Sequence, residues 1–180
     1  MKTIFNDNDI KIAGNKPSED IKKNRSSESA DTDVSKELVE SAKKIGMNIA
    51  EIFIEDVESQ SDNTPENAIL IAQRKLLMSF TATVGFEQYI SDDTLVGFAQ
   101  KSFLDTLKKH SAEMYKSSRD SGAFSFYYLA YRRDNDIERR MGQTFAMLCS
   151  HDGDPIFQEL GEALFCWFSS CVRKTVKEYL

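Results

Sequence analysis

The chain is short of turn-forming residues and of the residues that usually carry chemistry. Its 180 residues include only eight glycines and three prolines. Sandwiches and barrels need turn residues at regular short intervals, so this scarcity argues against a turn-rich β architecture. Only two histidines, His110 and His151, are present to build an imidazole-based metal site. The three cysteines, Cys149, Cys166 and Cys171, form no CxxC pair. Cys166 and Cys171 lie about 140° apart around one helix, so they cannot easily bridge. An odd cysteine count with no framework points to a reducing compartment. Apolar helical surroundings predict inert thiols rather than a nucleophile. A phosphate-binding glycine loop and a GxSxG elbow are both missing.

Long apolar runs are missing too. No segment approaches the roughly 20 residues needed to span a bilayer. Met1 to Phe5 carry one lysine and no apolar core of the kind a signal peptide needs. Positive charge is in deficit, with 23 Lys and Arg against 29 Asp and Glu, a net charge of −6. This balance disfavours nonspecific nucleic-acid binding, which draws on excess positive charge. The expectation is a soluble cytoplasmic protein with no cofactor, no membrane association and no nucleic-acid partner.

What is present is helical pattern. Hydrophobic residues make up 41% of the chain, enough for a core. Residues 1–31 are dominated by Asn, Lys, Ser, Asp and Glu, and predict a disordered or loosely docked arm. Residues 32–180 predict a single all-α domain, a bundle of five or six helices. Leu38, Ala42, Ile45, Ile49 and Ile52 make one apolar stripe over 33–57. Thr64, Pro65 and Glu66 form a helix start, and Ile69, Ala72, Leu76, Phe80 and Val84 continue it to about residue 90. A third helix over about 94–118 has Leu95, Ala99, Phe103, Leu107, His110 and Met114 on its inner face. Residues 124–131 fit either period; their helical context favours a helix. Another helix carries Ile137, Met141, Phe145 and Leu148.

Asp154 and Pro155 cap and open the last helix. Its residues Ala163, Leu164, Phe165, Cys166, Trp167 and Phe168 are consecutive and sweep about 600° of helix, so the segment is apolar on every side. The pattern predicts a largely apolar C-terminal helix at the centre of the bundle, partnered by the second helix. An exposed face used for self-association is the competing reading.

Two groups of residues could carry function. Tyr127, Tyr128, Tyr131, Arg132 and Arg133 combine the residue types enriched at protein–protein hot spots. His110, Glu113, Glu159 and Glu162 could instead hold a metal ion. His110 and Glu113 are one helical turn apart, and so are Glu159 and Glu162. The Glu-x-x-Glu pair resembles that of all-α nucleotide pyrophosphatases, but no Glu-x-x-Asp follows it at helical distance as in those enzymes. The doublet His151-Asp152 resembles that of HD-type metal phosphohydrolases, without their closing aspartate. The favoured expectation is a helical binding or regulatory module acting through a protein partner or self-association, with no catalysis. The alternative is a small metal-dependent hydrolase built on those carboxylates and His110.

Overall fold

A computed structural model describes residues 25–59, 67–119, 121–132 and 135–180; the side chains of 25–34, 113, 117, 121 and 123 lie outside that description. The described residues form seven helices and no strand: α1 (Arg25–Ser59), α2 (Ala68–Tyr89), α3 (Asp93–His110), α4 (Ala112–Ser117), α5 (Ser121–Tyr131), α6 (Ile137–Leu148) and α7 (Pro155–Tyr179). The all-α expectation agrees with this, and the ambiguous aromatic stretch is helical. Residues 25–31, assigned above to the arm, belong to α1. The rest of the arm and the expected start at Thr64 and Pro65 lie outside the described residues.

The helix count exceeds five or six because the expected third helix is two helices. Ser111 breaks it with extended backbone angles (φ −150°, ψ 121°) and caps α4 by accepting a hydrogen bond from the Met114 amide at 3.3 Å. Serine competes for backbone hydrogen bonds and favours caps over helix interiors. At the other end of α3, the Asp92 carboxylate accepts from the amides of Thr94 (2.8 Å) and Leu95 (3.1 Å). Those amide bonds, Leu95 first, hold its carboxyl below the usual carboxylate value. Asp154 caps α7 through the Ile156 amide at 2.9 Å, with Pro155 next, as the sequence predicts.

The centre of the bundle is α2. Among the described residues it touches every other helix, whereas α7 packs only on α1, α2 and α6. Leu76 to Ala82 are buried without interruption, so nearly two turns of α2 are enclosed on all sides. This corrects the expectation of a central C-terminal helix. In α7 the buried arc is Gly161, Leu164, Phe165, Phe168, Val172, Thr175 and Val176, while Ala163, Cys166 and Trp167 face outward. An apolar circumference creates a demand for neighbours; only the placement of other helices decides whether it is met. Phe168 is fully buried against Phe53 of α1, and Phe53 meets Phe103 of α3 edge-on with centroids 6.0 Å apart.

Two helix pairs approach closely. At Gly46 of α1, a Cβ would run into the Ala99 carbonyl oxygen and lie 2.9 Å from the Phe103 nitrogen of α3. At Gly142 of α6, a Cβ would run into the Gln158 carbonyl oxygen of α7. Both glycines are where they are because backbone, not side chain, faces them. No helix of the described residues is long and apolar enough to cross a membrane.

Candidate interaction surface

Helix α5 is apolar around most of its circumference, and the structure uses only part of it. Phe124, Tyr127 and Tyr131, spaced three and four apart, all turn toward Phe80 of α2. Their ring centroids lie 5.7, 5.5 and 6.0 Å from that of Phe80. The Tyr131 hydroxyl also donates to Gln88 Oε1 at 3.4 Å. Burial, then the neighbouring Tyr89 and Glu87, push the Tyr131 hydroxyl above the usual tyrosine value. Arg140 Nε of α6 donates to the Ala130 carbonyl at 3.2 Å and ties down the end of the helix.

The other face carries Phe126, Tyr128 and Leu129, which remain 49%, 48% and 65% exposed. Arg132 lies one turn beyond Tyr128, its guanidinium 5.4 Å from that ring's centroid. A clamped helix thus presents a phenyl, a phenol, an isobutyl and a guanidinium on one side. Gly122 and Ser125 are exposed on that same side.

Tyr127 does not belong to this surface. It is fully enclosed, and its hydroxyl has no hydrogen-bond partner among the described residues. Burial, then the Cys149 sulfur, push that hydroxyl strongly upward in pKa. The expected set Tyr127, Tyr128, Tyr131, Arg132, Arg133 therefore divides. Tyr128 and Arg132 are outside, Tyr131 is half-buried, Tyr127 is core, and Arg133 lies outside the described residues. Phe126 and Leu129 are the members that sequence reading missed. A helical wheel turned so that Tyr127 faces inward would have found them.

The expected metal ligands are not brought together. His110 is exposed and not on an inner face, because the break at Ser111 ends its helix. Its Nε2 lies 2.7 Å from Glu58 Oε1 of α1. Glu159 and Glu162 sit on α7, which makes no contact with α3 among the described residues. The Glu113 side chain lies outside the described residues. No three His, Cys, Asp or Glu side chains gather as a metal site among the described residues.

The His151-Asp152 doublet has a local explanation. It lies in the turn between α6 and α7, flanked by Ser150 and Gly153, both in the left-handed region (φ 64° and 78°). The His151 ring stacks on Phe157 at 3.7 Å, and its Nδ1 lies 3.8 Å from the capping Asp154 carboxylate.

A shallow hollow of about 420 Å³ between α1 and α3 is lined by Glu51, Glu55, Lys109 and His110. A second hollow, about 310 Å³, lies among Phe86, Phe103, Leu104 and Phe124, with Gln100 and Arg119 as polar lining. No known protein family, no curated protein and no solved structure matches the chain.

Proposed function

We propose that the protein is a helical binding module that engages a protein partner through the outer face of α5, and that it carries no catalytic centre of its own. The observation behind this reading is the exposure of Phe126, Tyr128 and Leu129 on a helix anchored by three rings. Burying a large apolar side chain stabilises by roughly 1.5–3 kcal/mol, so a partner that covers these residues gains substantially. Because α5 is already fixed by its inner rings, little ordering cost accompanies that gain. Arg132, lying against Tyr128, adds a charge-assisted donor at one end of the patch. The fitting partner has an apolar groove with a carboxylate near one end.

The test is affinity capture from cell extract with the wild-type chain and Leu129→Glu side by side. Leu129 is 65% exposed, so the variant keeps the helical circular dichroism and unfolding midpoint of the wild type. A protein retained by the wild type and lost with the variant supports the reading. Partners that bind both chains equally would remove α5 from the function.

A further inference from the structure

The hollow of about 310 Å³ lies where α2, α3, α5 and the end of α4 meet. Its walls are apolar: Phe86 of α2, Phe103 and Leu104 of α3, and Phe124 of α5. Phe86 and Phe103 are buried and meet edge-on with centroids 6.1 Å apart, and Phe124 is held edge-on against Phe80. Core packing fixes these rings, so the space is formed before anything enters it. An apolar cavity of roughly 150 Å³ accepts one benzene ring, so this one has room for two fused rings.

The polar lining selects the other end of an occupant. The Thr83 hydroxyl donates to the Ser79 carbonyl at 3.0 Å, and the Ser118 hydroxyl to the Tyr115 carbonyl at 2.8 Å. Gln100 Nε2 donates to Glu87 Oε1 at 3.3 Å, and Glu87 itself lies outside the lining. Both hydroxyl protons and one amide proton are thus committed within the protein. A polyol or a nucleotide would find few donors here.

Arg119 differs from these groups. It is exposed, so it stands at the mouth while Phe86 and Phe103 lie deeper. Its Nη1 donates to the Tyr115 hydroxyl at 2.9 Å, and its guanidinium lies 5.7 Å from that ring's centroid. Lys108 Nζ lies 5.6 Å from the centroid of the same ring. Neither base pairs with a carboxylate among the described residues. In a chain of net charge −6, two unpaired bases on one ring make a local positive spot. With one nitrogen on a phenol, the guanidinium keeps its Nε–Nη2 edge for one carboxylate, held by two parallel hydrogen bonds.

We propose that this hollow binds a small aromatic monocarboxylate, its rings among Phe86, Phe103 and Phe124 and its carboxylate on Arg119. A doubly charged phosphate fits less well, because Arg119 is the single charged side chain in the lining. The site does not rest on the α5 reading. Phe124 belongs to the inner face of α5, whereas Phe126, Tyr128 and Leu129 face outward.

The experiment titrates 2-naphthoate, 2-naphthamide and 2-naphthyl phosphate into the full chain by calorimetry, with phenylalanine ring shifts followed by NMR. The expected result is saturable binding of one naphthoate, with shifts at Phe86, Phe103 and Phe124. Naphthamide binds roughly tenfold more weakly or worse, the scale of a charge-assisted hydrogen bond. Arg119→Met, at an exposed position, reduces naphthoate to the level of naphthamide and leaves naphthamide unchanged. Leu104→Trp fills the hollow and weakens both. Leu129→Glu binds naphthoate like the wild type. No saturable binding at millimolar naphthoate, undiminished binding by Arg119→Met, or shifts confined to other rings overturns the proposal. Loss of binding in Leu129→Glu overturns it too, by moving the site to the outer face of α5. Tighter binding of naphthyl phosphate than of naphthoate overturns the choice of a carboxylate.

Discussion

The Arg74 guanidinium of α2 holds the Asp56 carboxylate of α1 with two hydrogen bonds, Nε to Oδ2 at 2.8 Å and Nη2 to Oδ1 at 2.7 Å. Asp56, in the acidic end of α1 that opposes its own helix dipole, is thereby matched by Arg74, and Glu58 Oε1 lies 2.7 Å from His110 Nε2. The Arg74–Asp56 pair is mostly shielded, its side chains 21% and 12% exposed. Exposed pairs contribute about 0–1 kcal/mol, while breaking a buried pair costs about 3–5 kcal/mol. Asp56→Ala is therefore expected to cost about 1–3 kcal/mol in urea unfolding, between those limits. In a double-mutant cycle with Arg74→Met, the two losses should fall short of additive, because each removes the same interaction. Strict additivity would show that the fork contributes nothing as a pair.

Much of the fold was legible in local pattern. Asp154 and Pro155 announced α7, and the stripe Ala42, Ile45, Ile49 announced the inner face of α1; all three of those residues are buried. Local pattern failed wherever the answer depended on neighbours. The period ran through Ser111 because Met114 kept the apolar spacing on the far side of the break. Both α2 and α7 read as apolar all round, yet only α2 is enclosed. Arg74 and Asp56 are 18 positions apart, and His110 and Glu58 are 52 apart; no short-range signature links either pair. The candidate surface was half visible: Tyr128 and Arg132 stood out as residue types. Excluding Tyr127 needed the knowledge that α5 packs on Phe80.

Two glycine-to-alanine changes should move stability in opposite directions. In a helix interior, alanine is favoured over glycine by up to about 1 kcal/mol. Gly97 in α3 is exposed, with nothing within 4 Å of an added Cβ, so Gly97→Ala should stabilise by about 0.5–1 kcal/mol. Gly46 meets the backbone of α3, which cannot rotate away as a side chain could. Gly46→Ala should destabilise by at least about 1–3 kcal/mol, the usual cost of overpacking. Thermal or urea unfolding of both variants checks the pair. Stabilisation by Gly46→Ala would mean that α1 and α3 separate without penalty.

Tyr127 carries a buried hydroxyl with no partner among the described residues, on a ring 5.5 Å from Phe80. A buried polar group without a hydrogen bond opposes folding, while its ring supports it. Tyr127→Phe removes only the former. The variant should unfold within about 1 kcal/mol of the wild type, or later than it. Tyr127→Ala should lose about 3–5 kcal/mol, as large aromatic truncations in cores do. A loss above 1 kcal/mol in Tyr127→Phe would assign the hydroxyl a hydrogen bond worth keeping.

The three thiols should separate by reactivity. Cys149 is buried, and burial raises its pKa to about 11. Cys171 is partly covered and Cys166 is exposed; burial raises both above the ordinary thiol value. At Cys166 the carboxylates of Glu138 and Glu162 add to that rise. The thiolate is the reacting form; exposure ranks Cys166 first, and burial with a raised pKa ranks Cys149 last. Near pH 8, a maleimide should modify Cys166 fastest in the native protein, with Cys149 protected until unfolding. Peptide mapping at timed quenches reads the order. Equal native rates at Cys149 and Cys166 would contradict the packing of α6 against the core.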